Sequence, residues 1–362
     1  MRLDLTVRSA AVAAIASLAM AGCGGGGGSS GSGQSYRVSV AVSGLSGTLV
    51  VAMGSGTLTF NADGTSSFSS LLPAGSTYVV TVSTQPATQY CTVNNGPGVA
   101  DADVTADVTC NASPGGVWTG QSQDGNDTYV LMADEQGEFW LLDTDNANGN
   151  LYAYGGSLSV SGSTGGAAVS GTDSGEALEG SYDDPKMSLF GTGTLSGSVD
   201  PRNALTLTST FTTSAGTQLQ TPSLGTLAYA SWYAQGSSYS DVAGDYTETA
   251  TEEDGTTQYS VAFSITSGGE LYGQDTAYSG CVVSGIVAPV AAGYDMYTVE
   301  YTYSNCSLKP YNELNGLTYN GIGALAPPNS NLNSSGTAQF ITVTAAHLTT
   351  GYNYATLVLS AN

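Results

Sequence analysis

The chain has 362 residues, 49 of them glycine, and carries 29 acidic residues against six lysines and arginines, a formal net charge of −23. A field of that sign repels nucleic-acid phosphates and anionic lipid headgroups, which excludes both as partners. One histidine and five cysteines leave little material for metal or thiol chemistry. The acidic, lysine-poor, Gly/Ser/Thr/Tyr-rich composition is that of an exported β protein.

At the N-terminus Arg2 and Arg8, weakened by Asp4, precede an apolar run from Ala10 to Ala21. The run is too short for a bilayer, which needs roughly 20 helical residues, and has the length of a signal h-region. Leu18-Ala19-Met20-Ala21-Gly22-Cys23 follows, then Gly24 to Gly28 and Ser29-Ser30-Gly31-Ser32-Gly33. This stretch resembles the lipobox of bacterial lipoproteins, with Met20 where that family most often has Leu. The resemblance implies a signal peptide over residues 1–22, cleavage before Cys23, and acylation of Cys23. The acyl chains would hold the protein at a membrane, each buried CH₂ contributing about 0.8 kcal/mol. Gly24 stands where an inner-membrane retention signal has Asp, so the implied address is the outer membrane of a Gram-negative cell. Residues 23–35 read as the acylated Cys and a flexible tether with nothing to bury. The remaining 340 residues keep four basic and 28 acidic side chains, a formal charge of −24, and suffice for two ordinary domains.

With Cys23 set aside, the cysteines fall into two local groups, Cys91 with Cys110 and Cys281 with Cys306. Separations of 19 and 25 residues suit bridges between neighbouring strands in an oxidising compartment.

The first folded unit is expected over 36–112. Tyr36, Val38, Val40 and Val42 share one face of a strand, and Leu58 with Phe60, then Tyr78, Val80 and Val82, repeat the period of two. Val104, Ala106, Val108 and Cys110 do the same, and Cys91 is in register with Val93, so both cysteines of this pair point inward and a bridge would cross a sandwich core. Gly44-Leu45-Ser46-Gly47, Ala62-Asp63-Gly64, Pro73-Ala74-Gly75 and Asn94-Asn95-Gly96 supply turns. About seven short strands suggest an immunoglobulin-like or transthyretin-like sandwich. The segment also resembles a module that recurs in exported bacterial proteins, on Gly44 to Gly47, Phe60 to Gly64, Gly75 to Val82, Gln85-Pro86 and the Cys91/Cys110 pair; the resemblance implies a structural or spacer domain. Residues 113–116 read as a linker.

The second unit is expected over 117–362 and holds an internal echo. Glu138-Phe139-Trp140-Leu141-Leu142-Asp143-Thr144 matches Glu270-Leu271-Tyr272-Gly273-Gln274-Asp275-Thr276, and each is preceded by a Gly. Gly116-Val117-Trp118-Thr119 and Gly244-Asp245-Tyr246-Thr247 open the two halves, each followed by an Asp-Gly turn, at Asp124-Gly125 and Asp254-Gly255. Two related β-meanders follow from this order, about 117–236 and 243–362. Leu205, Leu207 and Phe211, then Tyr297, Val299, Tyr301 and Tyr303, then Ile341, Val343 and Ala345 alternate with polar residues, and Leu357-Val358-Leu359 reads as a short buried run. No segment after Cys23 has the pattern of an amphipathic helix longer than two turns. The fold class is all-β: a small sandwich, then antiparallel sheet closed into a barrel or meander. The Gly-x-Trp opening resembles that of lipocalins and avidins, one short motif that assigns no ligand.

Catalytic machinery is scarce. His347 has no partner for a triad, and the only Gly-x-Ser-x-Gly match, Gly27 to Gly31, lies in the tether. The glycine run is no phosphate loop, because neither Lys nor helix follows it. Asp143-Thr144-Asp145-Asn146-Ala147-Asn148-Gly149 has a trace of a calcium loop, but Tyr154 occupies the place of the closing Glu, so a solvated turn is the reading and no metal or cofactor is assigned. Tyrosine is over-used, 22 against seven Phe and three Trp, and Tyr297, Tyr301 and Tyr303 form a stripe that, if exposed, would suit a binding surface. Three readings stand. The first is a membrane-anchored, non-enzymatic lipoprotein that binds an envelope protein or glycan or serves a structural role. The second is a barrel carrier of a small apolar ligand. The third is an enzyme using carboxylates such as Glu138 and Glu270, whose repeated strand geometry explains them more simply.

Overall fold

The computed structural model describes residues 33–122, 124–146, 151–178, 188–213, 216, 218–219, 224–251, 258–274, 280–307, 314–348 and 351–362. Cys23, Lys186, Asp254, Asp275 and Lys309 lie outside them, and Asp145 and His347 are described by backbone alone.

In the N-terminal unit alternation does what a half-buried sheet requires. Val38, Val40 and Val42 of the strand Val38–Ser43 are buried while the residues between them are not. This strand pairs in parallel with Val104–Ala112 and antiparallel with Gly64–Ser67, and Gln89–Asn94 completes a four-stranded sheet. The facing sheet runs Gly56–Phe60, Leu49–Met53, Thr77–Thr84, Pro97–Val99. The two inner faces close one core around Val40, Val51, Val80 and Val108. Cys91 and Cys110 are bridged and buried, but they sit directly opposite each other on adjacent antiparallel strands of one sheet. The bridge therefore staples a strand pair and does not cross the core: two inward-pointing cysteines in register meet along the sheet before they can meet across it.

The rest of the chain is two antiparallel barrels of eight strands each. The first comprises Gly116–Gln121, Asp127–Ala133, Glu138–Asp145, Leu151–Ser161, Ala167–Leu178, Ser188–Asp200, Ala204–Thr213 and Gly225–Tyr229, and closes where the last strand pairs with the first. Gln218–Leu219 adds a short pairing outside the ring. The second comprises Gly244–Thr251, Gln258–Ile265, Glu270–Gln274, Val282–Pro289, Tyr297–Ser304, Thr318–Ala326, Gln339–Leu348 and Gly351–Ala361, closed by the pairing of Gly351–Ala361 with Gly244–Thr251. A 3₁₀ turn, Ser231–Gln235, and a one-turn helix, Tyr239–Val242, join them. Closure leaves no unpaired edge.

The sequence echo falls on equivalent places in the two rings. Glu138 and Glu270 each open the third strand, and both are exposed. In the turn before them Asp134 Oδ1 accepts from the Gln136 and Glu138 amides, and Thr266 Oγ1 accepts from the Gly268 and Glu270 amides. Gly137 and Gly269 both take positive φ, 96° and 85°, and a Cβ on either would strike a backbone carbonyl, of Leu158 or of Val287. The aromatic that opens each barrel bonds back to the carbonyl four residues earlier: Trp118 Nε1 to Pro114 at 2.9 Å, and the Tyr246 hydroxyl to Val242 at 2.6 Å.

Both barrels are filled. Trp118, Leu131, Phe139, Leu207 and Phe211 pack in the first, and Tyr246, Phe263, Tyr297, Tyr301 and Phe340 in the second. Glycine makes room for these rings: Phe263 is opposite Gly273 and Tyr301 opposite Gly285, and a side chain at either glycine would overlap that ring or its backbone. Much of the glycine inside the strands is thus a packing device.

Several expectations change once the units are assembled. The segment 113–116 is buried, and Ser113 to Gly115 are bonded into the first barrel. Gln89, 1% exposed, bonds Gly44 and Ser163 carbonyls at once, and the Ala112 amide bonds the Gly162 carbonyl. The sandwich is docked on the barrel, because a three-residue connection leaves no slack between strands ending at Ala112 and starting at Gly116. Ile341, Val343 and Ala345 point away from the second barrel's interior into a cluster with Val117, Met132, Trp232 and Met296 that joins the barrels side by side. The same strand's inward face carries Phe340, Thr342 and Thr344, all buried. Leu357 and Leu359 are buried but Val358 is 40% exposed, so that segment alternates. Asp143 lies in the strand Glu138–Asp145, paired with Tyr129 and Tyr152, and not in a loop.

Candidate functional site

The tyrosine stripe is core. Tyr297 and Tyr301 are fully buried and Tyr303 is half-buried. Tyr301 stacks on Tyr319, with Tyr303 edge-on to both, and its hydroxyl meets Thr344 Oγ1 at 2.9 Å. The Tyr297 hydroxyl donates to the Ser238 carbonyl. A one-residue difference in register decides which face of a strand is inside, and here the rings pack on one another within the barrel while the Tyr297 and Tyr301 hydroxyls bond Ser238 and Thr344, so they offer no outward docking surface. The second predicted bridge, Cys281 with Cys306, forms beside the paired strands Val282–Pro289 and Tyr297–Ser304.

Arg202 marks the point where all parts of the molecule converge. It sits with φ of 63° in the turn between Ser188–Asp200 and Ala204–Thr213. Its guanidinium donates to the Gly115 carbonyl at 2.6 Å, to the Ala87 carbonyl at 3.3 Å and to Glu135 Oε1 at 2.9 Å. The rings of Tyr229, Tyr233 and Tyr294 lie 5.5, 5.3 and 4.8 Å away, within cation–π range. Glu135 also accepts from Ser113 Oγ at 2.5 Å and from the Tyr233 hydroxyl at 3.1 Å. Sandwich, connection, first barrel, inter-barrel turn and second barrel each contribute a group. Burial alone would lower the Arg202 pKa, but Glu135 raises it above its ordinary value, so the guanidinium stays charged. Burial, reinforced by Glu135, pushes the Tyr233 phenol well up. Sequence reading missed this cluster; its one signal is that Arg202 is among only four basic residues after Cys23.

The interior of the first barrel is polar in one place. Tyr129, Leu141, Asp143, Tyr154, Asp173, Ser209 and Leu224 line a cavity of about 20 Å³, room for a water-sized occupant. Asp173 is 6% exposed, and burial lifts its carboxyl to about 6. In the second barrel burial lifts the Glu248 carboxyl to about 7. No group of three or more His, Cys, Asp or Glu gathers as for a metal among the described residues.

These features define the class: an all-β protein of two fused eight-stranded antiparallel barrels with a disulfide-stapled sandwich docked at one end. No protein-family model matches the chain, and no curated protein matches it. Among solved structures it is similar to Aeromonas veronii immune modulator A, at 9% identity over 68% of this chain and 92% of that one, with a TM-score of 0.26. At that score the likeness bears on neither fold nor function.

Proposed function

We propose that this chain is an exported lipoprotein, anchored by acylated Cys23 at the outer membrane, whose rigid body works by binding a protein or glycan of the envelope or by a structural role, without catalysis. The observation that carries the anchor is the Ala21-Gly22-Cys23 junction with its Gly/Ser run, which leads to a folded body whose first strand is Ser35–Tyr36. The body is one in which sandwich and barrels are bonded into each other, as a presented surface requires. The carrier reading finds less support: aromatic and aliphatic side chains occupy both barrels, and the cavity of about 20 Å³ is far below the few hundred Å³ of a small-molecule site.

Mass spectrometry of the mature N-terminus should find a lipid-modified Cys23, and Cys23→Ser should move the protein from the membrane to the soluble fraction. An unmodified residue at that position, or membrane retention of the variant, would overturn the anchor. Affinity capture on immobilised full chain then tests the body, with envelope proteins and glycans as separate arms.

A further inference from the structure

We propose that the cavity inside the first barrel is a binding site for one hard divalent cation, of the calcium class, held by the carboxylates of Asp173 and Asp143 with the hydroxyls of Ser209 and Tyr129. The argument starts from what the strands place there. Alternation along Ala167–Leu178 turns Val169 and Asp173 to the interior, and along Glu138–Asp145 it turns Phe139, Leu141 and Asp143 inward. Two carboxylates from strands that are not neighbours thus line one pocket, among the apolar side chains of Leu141 and Leu224.

Charge there needs an answer. Among the described residues no Lys, Arg or His lines the cavity, and their one ion pair, Arg202 with Glu135, is at the domain junction. Asp173 is more than nine-tenths buried. The Ser209 hydroxyl and the backbone amides of Gly193 and of Asp173 itself hydrogen-bond its carboxylate, while Oδ1, shielded from solvent, keeps no partner of good geometry. Gly193 on the neighbouring strand leaves the space that this oxygen occupies, since a Cβ there would collide with it. An anionic oxygen shielded from solvent without a donor is strongly disfavoured. A cation supplies the missing charge, and a cavity of about 20 Å³ accepts a single ion or water and nothing larger.

The donor set selects the ion. Every polar side chain on the wall ends in oxygen, as carboxylate, alcohol or phenol, which suits hard cations and disfavours zinc or copper. Tyr129 donates its proton to Asp127 Oδ2 at 3.4 Å, so its oxygen keeps a lone pair to give. Two carboxylates match a charge of +2. Side chains reaching in from several strands give an irregular shell, which calcium tolerates better than the strictly octahedral magnesium.

The test uses the full mature chain, stripped with chelator, at pH 7.5 and 0.15 M NaCl so that weak surface association is screened. Titration calorimetry with calcium chloride should show one saturable site per chain and a rise in thermal midpoint, with magnesium at least tenfold weaker. Asp173→Asn and Asp143→Asn, close in shape to the originals, should each weaken calcium at least tenfold. Asp101→Asn, at an exposed site on the sandwich, should leave it unchanged. Terbium emission sensitised by Tyr129 or Tyr154 should appear in the parent chain and vanish in the Asp173 variant, a reading that does not depend on stability. The proposal fails if no saturable calcium or terbium uptake is seen, which would mean a protonated carboxyl beside a water. It also fails if uptake survives both cavity variants, which would mean adventitious binding to the acidic surface.

Discussion

Arg202→Ala removes the group that ties the sandwich, the connection and both barrels together. The side chains of Arg202 and Glu135 are 17% and 12% exposed, so the pair is largely desolvated, and removing one partner of such a pair costs about 3–5 kcal/mol. The three tyrosine rings would each contribute about 0.5–1 kcal/mol more if independent; they share one guanidinium, so the total stays near 3–5 kcal/mol. For a unit of this size 1 kcal/mol moves the midpoint by about 2–4 °C, which places the expected drop at about 6–20 °C. Thermal unfolding of the full chain, followed by near-UV circular dichroism at pH 7.5, reads it, and limited proteolysis should open a new cut near 113–116. The reasoning makes a second demand. Most of the loss comes from stranding the Glu135 carboxylate, which keeps only Ser113 and Tyr233. Arg202→Met with Glu135→Gln should therefore be more stable than Arg202→Met alone. A midpoint within 2 °C of the parent for Arg202→Ala, or a double variant no better than the single, would refute the keystone role.

Three further outcomes follow from the same structure. Gly285→Ala should lower stability by about 1–3 kcal/mol, because a Cβ there meets the Tyr301 backbone at 2.6 Å; a neutral change in denaturant midpoint would show that the barrel yields at that strand. Cys281→Ala with Cys306→Ala opens a loop of 25 residues and should cost about 3 kcal/mol in the chain-entropy model, and peptide mapping that found either cysteine paired with Cys91 or Cys110 would contradict the fold. Finally, burial raises Asp134 and Asp173 to about 6, and Glu248 and Asp295 to about 7. The native state then holds more protons than the unfolded chain between about pH 4 and 7, so stability falls as pH rises through that window. The thermal midpoint should be higher at pH 5 than at pH 8, and Glu248→Gln should shrink the difference; a midpoint that climbs from pH 5 to pH 8 is the opposite result.

The sequence alone determined what local chemistry and periodicity control. Alternation at Val38 to Val42, Val104 to Cys110 and Leu205 to Phe211 reflects one-faced burial within a strand, which needs no knowledge of neighbours, so the all-β class was legible. The pairing of cysteines 19 and 25 residues apart was legible for the same reason, because hairpin-scale separations bring neighbouring strands together. The echo around Glu138 and Glu270 marked equivalent turns, whose Asp or Thr side chain and following Gly carry their geometry within five residues.

Only the tertiary structure decided which side of a strand faces what. Tyr297 and Tyr301 obey the same alternation whether they face solvent or each other, and closure of the ring put them inside. Ile341 and Val343 look like core and are core, but of the joint between two barrels, since burial on a barrel's outer face comes only from a second body. Arg202 and Glu135, 67 positions apart, and Asp143 and Asp173, on strands separated by another, have no periodicity that links them. Their meeting depends on how far each sheet curls before it closes, a property of the whole ring that no short segment encodes.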